Sequence, residues 1–179
     1  TNPPKLICEP GRALVSECYH LLVRVKGRKA NNILYLNDGI YGAMLEWRDI
    51  GPVKRLEIMR PTGEPITSHA EDFTIFGPTC DSLDQLSEKV GLPHTIQDGD
   101  YILISGMGAY STVTCTPFNG YGVVQRVTIV TLLGDMLQSY LWVNAQCGAD
   151  ITGQLGAVQC VKMQRLNPFI DQFTAQFGA

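Results

Sequence analysis

The sequence predicts a mostly β fold, an antiparallel barrel or sandwich with Greek-key character, and three observations support this prediction. Short apolar segments recur along the first two thirds of the chain, with turn residues between them. β-Branched residues are concentrated in these segments, as in GVVQRVTIVTLL. The chain of 179 residues is 45% hydrophobic and 17% charged, so it can bury a core of one domain. Strands at such short intervals are typical of barrels and sandwiches.

Each predicted strand shows its own pattern. The first, HLLVRVKGR, places Leu21, Val23 and Val25 on one face, with a period of two. The fifth, DGDYILISG, is a nearly continuous apolar run, which indicates a strand buried on both faces. The others alternate or end at Gly and Pro turns. In chain order the predicted strands are 20–28, 31–39, 53–61, 71–79, 98–106 and 122–133.

One short helix is predicted near residues 82–90, in DSLDQLSEKVG. Asp81 or Ser82 could cap its beginning, and Gly91 could end it. The chain then divides into a β domain over residues 1–133 and an unassigned tail over 134–179, in which no clean period is found. Within the tail, phenylalanines every four residues indicate a short amphipathic helix that packs on the barrel; they are Phe169, Phe173 and Phe177.

Charge and cysteine content exclude several classes of function. A net charge of −3 and a pI near 5.5 argue against nucleic-acid binding, and no apolar run is long enough to span a bilayer. The six cysteines include no C-x-x-C pair and the three histidines are scattered, so no metal site is predicted. We expect reduced thiols and a cytoplasmic location.

Three segments carry chemically useful groups. CEPGR, residues 8–12, offers a carboxylate, a rigid turn and a guanidinium, and GMGAY, 106–110, offers open backbone and a phenol, followed by FNGY at 118–121. Both could bind a phosphate. CDSLD, 80–84, places a thiol beside two aspartates, and nearby carboxylates raise the pKa of a thiol and keep it protonated. Taken alone, each segment is better explained by structure: CEPGR and GMGAY as turns, and CDSLD as a capped helix start with a buried cysteine.

Together and in this order, the segments resemble the C-terminal part of the fold-type III pyridoxal-phosphate decarboxylases, which act on ornithine, lysine, diaminopimelate and related amino acids. The resemblance covers about residues 6–131 and includes EPGR, GPTCDSLD, GDYILISGMGAYS and FNGY. It implies a β-barrel like the C-terminal domain of alanine racemases. The Cys-Asp pair is most similar to that of ornithine decarboxylases, since diaminopimelate decarboxylases usually carry Cys-Glu there.

The resemblance implies pyridoxal 5'-phosphate as the cofactor and assigns it four residues of this chain. Glu9 would pair with the pyridine nitrogen and keep it protonated, which makes the ring an electron sink. Gly11 and Arg12 would hold the phosphate, and Tyr110 would contact it as well.

The resemblance also assigns three residues to the substrate and its reaction. Cys80 would reach into the active site of a partner subunit and deliver the proton that replaces CO₂. Asp81 would bind the distal ammonium of the substrate, and Phe118 would line the pocket near the subunit interface. The implied reaction is decarboxylation of a basic amino acid, L-ornithine to putrescine first among them, in a homodimer.

The family's (β/α)₈ barrel and its Schiff-base lysine do not occur in this sequence, so we expect the isolated chain to have little or no activity. The chain would then act with the missing barrel half or a second copy. The main alternative is a non-catalytic binding or dimerisation module built on the same domain. A cysteine hydrolase is a weaker alternative, because none of His20, His69 and His94 has a setting that suits a general base.

Overall fold

The computed structural model describes residues 3–51, 55–122, 124–129 and 139–144, and it is mostly β in these ranges. Two short helices, α1 and α2, span Gly11–Val15 and Leu45–Ile50. The strands, numbered in chain order, are β1 Tyr19–Lys29, β2 Ile33–Leu36, β3 Leu56–Met59, β4 Ala70–Phe76, β5 Val90–Pro93, β6 Tyr101–Ser105, β7 Val124–Ile129 and β8 Ser139–Asn144. Each of the six predicted strands is therefore confirmed, and the mostly β fold class with them.

The strands form one sheet in the order β3-β6-β1-β2-β4-β5, to which β7 and β8 are joined through β1. The sheet is mixed, because β2 pairs with β4 and β1 pairs with β8 in parallel, whereas the other pairings are antiparallel. The predicted barrel-like β fold is confirmed, but the expected antiparallel pairing does not hold for these two pairs. Strand β1 pairs with several neighbours because it has 11 residues: β6 pairs with it as far as Arg24, and β2 pairs with it from Val25 onward. A register shift lies between Val25 and Gly27, within the pairing with β2.

The hydrophobic core lies between the curved sheet and α2. Leu21, Val23 and Val25 of β1 are fully buried, as their alternation predicted. Four consecutive residues of β6, Tyr101–Ile104, are also buried, which confirms the prediction of a strand covered on both faces. Trp47, the buried residue of α2, packs in the same cluster. Burying such side chains contributes about 1.5–3 kcal/mol each, so this core fixes the framework that carries the loops.

The helix predicted near residues 82–90 is wrong. The backbone turns at Ser82–Leu83 and then runs along the end of β4, where Gln85 bridges to Phe76, before β5 begins. The Leu86 amide donates a hydrogen bond to the Ile75 carbonyl, 3.0 Å away. The backbone of this segment is thus satisfied by a turn and by pairing with β4, and that tertiary pairing overrides a modest local helical preference. The short helices lie instead at α1 and α2.

Part of the tail belongs to the sheet. Strand β8 lies beyond the predicted boundary at residue 133, and it pairs with β1 and β7. The predicted phenylalanine helix falls outside the described residues, and the division at 133 stays a prediction. No helix in the described ranges has both the length and the apolar character that a membrane crossing requires.

Candidate active site

Cys80 and Asp81 are consecutive residues on the turn that follows β4. The Gly77-Pro78-Thr79 segment ends the strand, and Cys80 is exposed at the surface. The Asp81 side chain caps the turn, because its Oδ1 accepts a hydrogen bond from the Leu83 amide at 2.9 Å. Its other oxygen, Oδ2, accepts one from the Tyr41 hydroxyl at 2.5 Å. The carboxylate is therefore held in one orientation while the thiol beside it remains accessible.

Tyr41 joins this turn to the loop that carries the FNGY segment. Its ring packs on the ring of Phe118 with the centroids 4.4 Å apart. Its carbonyl accepts hydrogen bonds from the backbone amide of Thr116 at 2.8 Å and from the Thr116 hydroxyl at 3.0 Å. The structure thus brings Phe118 next to Asp81 through Tyr41, as one cluster.

Asn119 contacts the thiol directly. Its side-chain amide donates a hydrogen bond to the Cys80 Sγ at 3.3 Å. The residue has a φ of +52°, a left-handed conformation that asparagine tolerates better than most residues. This conformation occurs within the short 3₁₀ turn Phe118–Gly120. The FNGY segment thus places a hydrogen-bond donor directly at the Cys80 sulfur.

The hydrogen bond between Tyr41 and Asp81 shifts both of their pKa values. The Tyr41 hydroxyl is the main cause that lowers the pKa of the Asp81 carboxyl, and the Leu83 amide adds to it. The same contact raises the pKa of Tyr41, because losing the phenolic proton would leave two negative charges in contact. At neutral pH the pair consists of a carboxylate and a neutral phenol. Asp81 thus carries a full negative charge at a partly exposed position, one residue after Cys80.

A second group of contacts forms around Arg12 on α1. Its guanidinium forms an ion pair with Glu46 of α2 and lies over the Tyr110 ring, 5.2 Å from the centroid. Tyr110 has a φ of +64°, and its carbonyl accepts hydrogen bonds from the backbone amide and hydroxyl of Thr114. Gly108 has no space for a side chain, since a Cβ would lie 1.7 Å from the Val15 carbonyl oxygen. That close approach holds the GMGAY segment against α1.

Glu9 and Gly11 lie just before Arg12 in the chain. The Gly11 amide donates a hydrogen bond to the Glu9 carbonyl at 3.0 Å, and α1 begins at Gly11. Within the described ranges, the exposed Glu9 carboxylate has no ion pair or hydrogen bond, so its oxygens are available to a ligand. Arg12 offers five N–H donors, of which Glu46 uses one, and the Tyr110 hydroxyl is a further donor. This donor set fits a phosphate group, with a carboxylate close by in sequence for a ring nitrogen.

The turn before α2, together with α2 itself, connects the two groups, because Tyr41 belongs to one and Glu46 to the other. Sequence reasoning missed Tyr41, Glu46 and Asn119. The pattern of NDGIYG predicts only the end of a strand, although an aromatic residue in a glycine-rich turn is a signal that could have identified Tyr41. Among the described residues, His, Cys, Asp and Glu form no cluster that could hold a metal ion.

The described residues thus form a β-sheet domain with an exposed Cys-Asp turn and, in a second group of contacts, an arginine that lies over a tyrosine ring. The family described as "Pyridoxal-dependent decarboxylase, C-terminal sheet domain" matches residues 13–108. The chain belongs to this family. The family is pyridoxal-dependent, which confirms the cofactor and the resemblance inferred from the sequence motifs.

Several curated proteins are similar over the same region. The chain is 34% identical over 131 residues to decarboxylase flvG of Aspergillus flavus, with 65% of this chain and 31% of that protein covered. It is 32% identical to an ornithine decarboxylase of Panagrellus redivivus over 65% of this chain and 30% of the relative. It is also 32% identical to antizyme inhibitor 2 of Xenopus laevis, over 65% and 28%. The chain therefore spans less than a third of the length of these relatives.

Solved structures show the same fold. A lysine/ornithine decarboxylase of Vibrio vulnificus, complexed with cadaverine, superposes with a TM-score of 0.51 and 28% identity, over 61% of this chain and 29% of that one. The agmatine-bound arginine decarboxylase of Paramecium bursaria Chlorella virus gives 0.53 and 25%, over 62% and 30%. The ligands differ among these relatives, so the comparison leaves the choice of basic amino acid to other evidence.

Proposed function

We propose that this chain supplies the substrate-binding and proton-donating edge of a pyridoxal-phosphate decarboxylase that acts on a basic amino acid, with L-ornithine as the first candidate and putrescine as its product. The observation that carries the proposal is the pairing of an exposed thiol with an oriented carboxylate, Cys80 and Asp81, on one turn. Such a pair can bind a cation and donate a proton within the same small space.

Asp81 is proposed to bind the distal ammonium of the substrate. Its pKa is lowered by the Tyr41 hydroxyl, so the carboxylate is anionic at neutral pH and attracts a cation. Phe118 packs on Tyr41 and would flank the methylene chain of the substrate with an apolar surface. The similarity to ornithine decarboxylase and the Cys-Asp pair both favour ornithine over diaminopimelate, whose distal end carries a carboxylate as well.

Cys80 is proposed to return a proton to the carbon that loses CO₂. When bound, the cofactor supplies an electron sink for the pair of electrons that the departing CO₂ leaves behind. The Cys80 S–H bond then breaks, its proton goes to that carbon, and the sulfur keeps the bonding electrons as a thiolate. The Asn119 amide, 3.3 Å from the sulfur, would stabilise this thiolate until solvent restores its proton.

The cofactor would be held by the second group of contacts. Arg12 and Tyr110 are proposed to hold its phosphate, together with the backbone at Gly11, and Glu9 to keep the pyridine nitrogen protonated. No direct hydrogen bond or ring contact joins this group to Cys80 or Asp81 in the described ranges. A homodimer in which Cys80 and Asp81 complete the partner's site would accommodate this separation. The exposed Leu83 and Phe118 beside the turn suit such an interface.

The test uses the complete protein that contains this chain, saturated with pyridoxal phosphate and supplied with L-ornithine. We expect Cys80→Ala to slow putrescine formation and to direct part of the reaction to incorrectly protonated products, which chromatography separates. Asp81→Asn is expected to raise KM for ornithine, with a smaller effect on kcat. Cys18→Ala, which changes a half-buried thiol outside this turn, is the control. Wild-type rate and product purity in Cys80→Ala would contradict the proposed role of the thiol.

The alternative is a non-catalytic binding or dimerisation module on the same domain. One relative, antizyme inhibitor 2, carries a name that denotes an inhibitor and not a decarboxylase, which favours this alternative. In either case we propose that the 179-residue chain alone is inactive, since it contains no residue assigned to the Schiff base. Ornithine decarboxylation by the isolated chain would overturn that proposal. Pyridoxal-phosphate binding by the complete protein, followed by its absorbance, distinguishes the enzyme from the module.

A further inference from the structure

Asp84 is a buried carboxylate to which the proposed reaction assigns no role. It is 1% exposed, although it lies only four residues after the exposed Cys80. None of its hydrogen-bond partners in the described ranges is a basic side chain. A charged group in such a place is costly unless every lone pair is satisfied, so its partners indicate what it does.

The carboxylate of Asp84 connects two loops. Its Oδ1 accepts a hydrogen bond from the backbone amide of Ile40 at 3.0 Å. Its Oδ2 accepts two from Thr79, one from the backbone amide at 3.1 Å and one from the hydroxyl at 2.8 Å. Ile40 directly precedes Tyr41, and Thr79 directly precedes Cys80. The carboxylate thus fixes the two backbones from which the thiol and the Tyr41 hydroxyl project.

The backbone of Asp84 closes the same turn. Its carbonyl accepts a hydrogen bond from the Gly77 amide at 2.8 Å, and its amide donates one to the Asp81 carbonyl at 3.0 Å. Gly39 and Gly77 both approach the carboxylate closely, since a Cβ at Gly39 would lie 2.2 Å from Oδ1 and a Cβ at Gly77 would lie 2.2 Å from each oxygen. The fit permits almost no displacement, so the spacing between the two loops is set at this point.

We infer that Asp84 is a positioning residue, which holds the Ile40-Tyr41 backbone and the Thr79-Asp81 turn in the one arrangement that allows the Tyr41 hydroxyl to reach Asp81 and keeps Cys80 beside Asn119. The inference rests on the proposed function only in the roles that it gives to Cys80 and Asp81. The arrangement itself is a property of the folded chain. An acid is required because every group that faces the side chain donates a hydrogen bond, and a carboxylate has two accepting oxygens. An asparagine would direct the N–H groups of its amide at one of these donors.

The test measures Tyr41 and Cys80 in the isolated 179-residue chain. The titration of Tyr41 is followed by NMR on ¹³Cζ-labelled tyrosine and assigned with Tyr41→Phe. The rate of iodoacetamide alkylation at Cys80 is measured by peptide mass spectrometry relative to exposed Cys8, and half-buried Cys115 reports on global unfolding. The variants are Asp84→Asn and, as a milder change that leaves the buried acid in place, Thr79→Val. Asp72→Asn, at an exposed position on β4, is the matched control.

In Asp84→Asn we expect the Cys80:Cys8 alkylation ratio to change at least twofold, while Cys115 alkylation stays constant. Tyr41 should also titrate closer to its ordinary range, but the negative charge of Asp84 contributes directly to the raised pKa of Tyr41, so this shift alone does not report on positioning. Thr79→Val keeps that charge and removes one hydrogen bond to the carboxylate, so it is the deciding variant: it should change the Tyr41 titration and the Cys80:Cys8 ratio in the same directions by less. An unchanged Tyr41 titration with an unchanged Cys80:Cys8 ratio in the folded variants would overturn the inference. No decarboxylase activity enters these measurements, so a complete protein that fails to decarboxylate ornithine would overturn the proposed function alone.

Discussion

The Tyr41 hydroxyl donates a hydrogen bond of 2.5 Å to the Asp81 carboxylate across 40 positions of sequence. This contact joins a turn after β2 to the turn after β4, and it orients the one carboxylate that lies next to the exposed thiol of Cys80. Both residues lie outside the strands, so strand pairing holds neither of them in place. The contact is therefore the element of the site that is most sensitive to small changes in how the two loops pack.

Tyr41→Phe should weaken the fold at neutral pH by an amount that decreases toward both acid and alkaline pH. The pKa of Asp81 is lowered in the fold, so its contribution is present above the ordinary carboxyl range and is lost as pH falls through the folded value. The pKa of Tyr41 is raised, so its contribution is present below about pH 10 and is lost as pH rises through the folded value. Urea unfolding of both proteins across this pH range measures the difference.

Phenylalanine keeps the ring that packs on Phe118, so Tyr41→Phe isolates the hydroxyl. Tyr35→Phe, at an aromatic position in β2 with no hydroxyl hydrogen bond in the described ranges, is the matched control and should show no comparable pH dependence. A difference between Tyr41→Phe and wild type that stayed constant from acid to alkaline pH would contradict the assignment of both shifts to this contact.

Asn119→Asp should slow the alkylation of Cys80 at neutral pH. The substitution replaces the N–H donor 3.3 Å from the sulfur by a carboxylate oxygen of the same shape, which disfavours the thiolate that reacts. Both groups are exposed, so the effect is about 0.2–1 kcal/mol, or roughly 1.5- to 5-fold in rate. Asn119→Gly, which accepts the left-handed conformation, removes the donor without adding charge and should slow the reaction less. Faster alkylation in Asn119→Asp would show that the amide does not support the thiolate.

Cys115 should be nearly inert to iodoacetamide at mildly alkaline pH and become reactive only as the pH approaches the pKa of its thiol. Burial is the main cause that raises the pKa of this thiol to about 11, and the negative charge of Asp38 adds to it. Its Sγ also donates a hydrogen bond to the Gly122 carbonyl at 3.1 Å, which favours the protonated form. Exposed Cys8 provides the comparison within the same sample. Equal labelling of Cys115 and Cys8 at mildly alkaline pH would contradict this environment.

Gly77→Ala should destabilise the chain far more than Gly91→Ala. A Cβ at Gly77 would lie 2.2 Å from both carboxylate oxygens of Asp84, which are held by other hydrogen bonds and have no room to withdraw. Overpacking of this kind costs about 1–3 kcal/mol. A Cβ at Gly91, in β5, meets no atom within 4 Å and should cost little. Urea denaturation midpoints compare the two, and equal midpoints would show that the Asp84 carboxylate has room to move.

The sequence by itself determined the strands and the chemistry of the segments. Alternation in β1 and the unbroken apolar run of β6 are local patterns, and the burial of their side chains follows directly from the period of a strand. EPGR, GPTCDSLD and FNGY are also local, and they were sufficient to indicate the family. Cys80 and Asp81 are adjacent in the chain, so their amino-acid types alone were enough to assign them together.

Only the tertiary structure decided which residues support that pair. The segment after Cys80 has a helical composition, yet it turns and pairs with β4. The hydrogen bond to the Ile75 carbonyl and those that the Asp84 carboxylate accepts outweigh a weak local preference. Tyr41 and Asn119 each lie 39 or 40 positions from their partners, and no local period specifies a contact across that distance. The sequence states which groups are present, but the packing of loops on the sheet decides which of them meet, because loop contacts depend on the whole core that positions their ends.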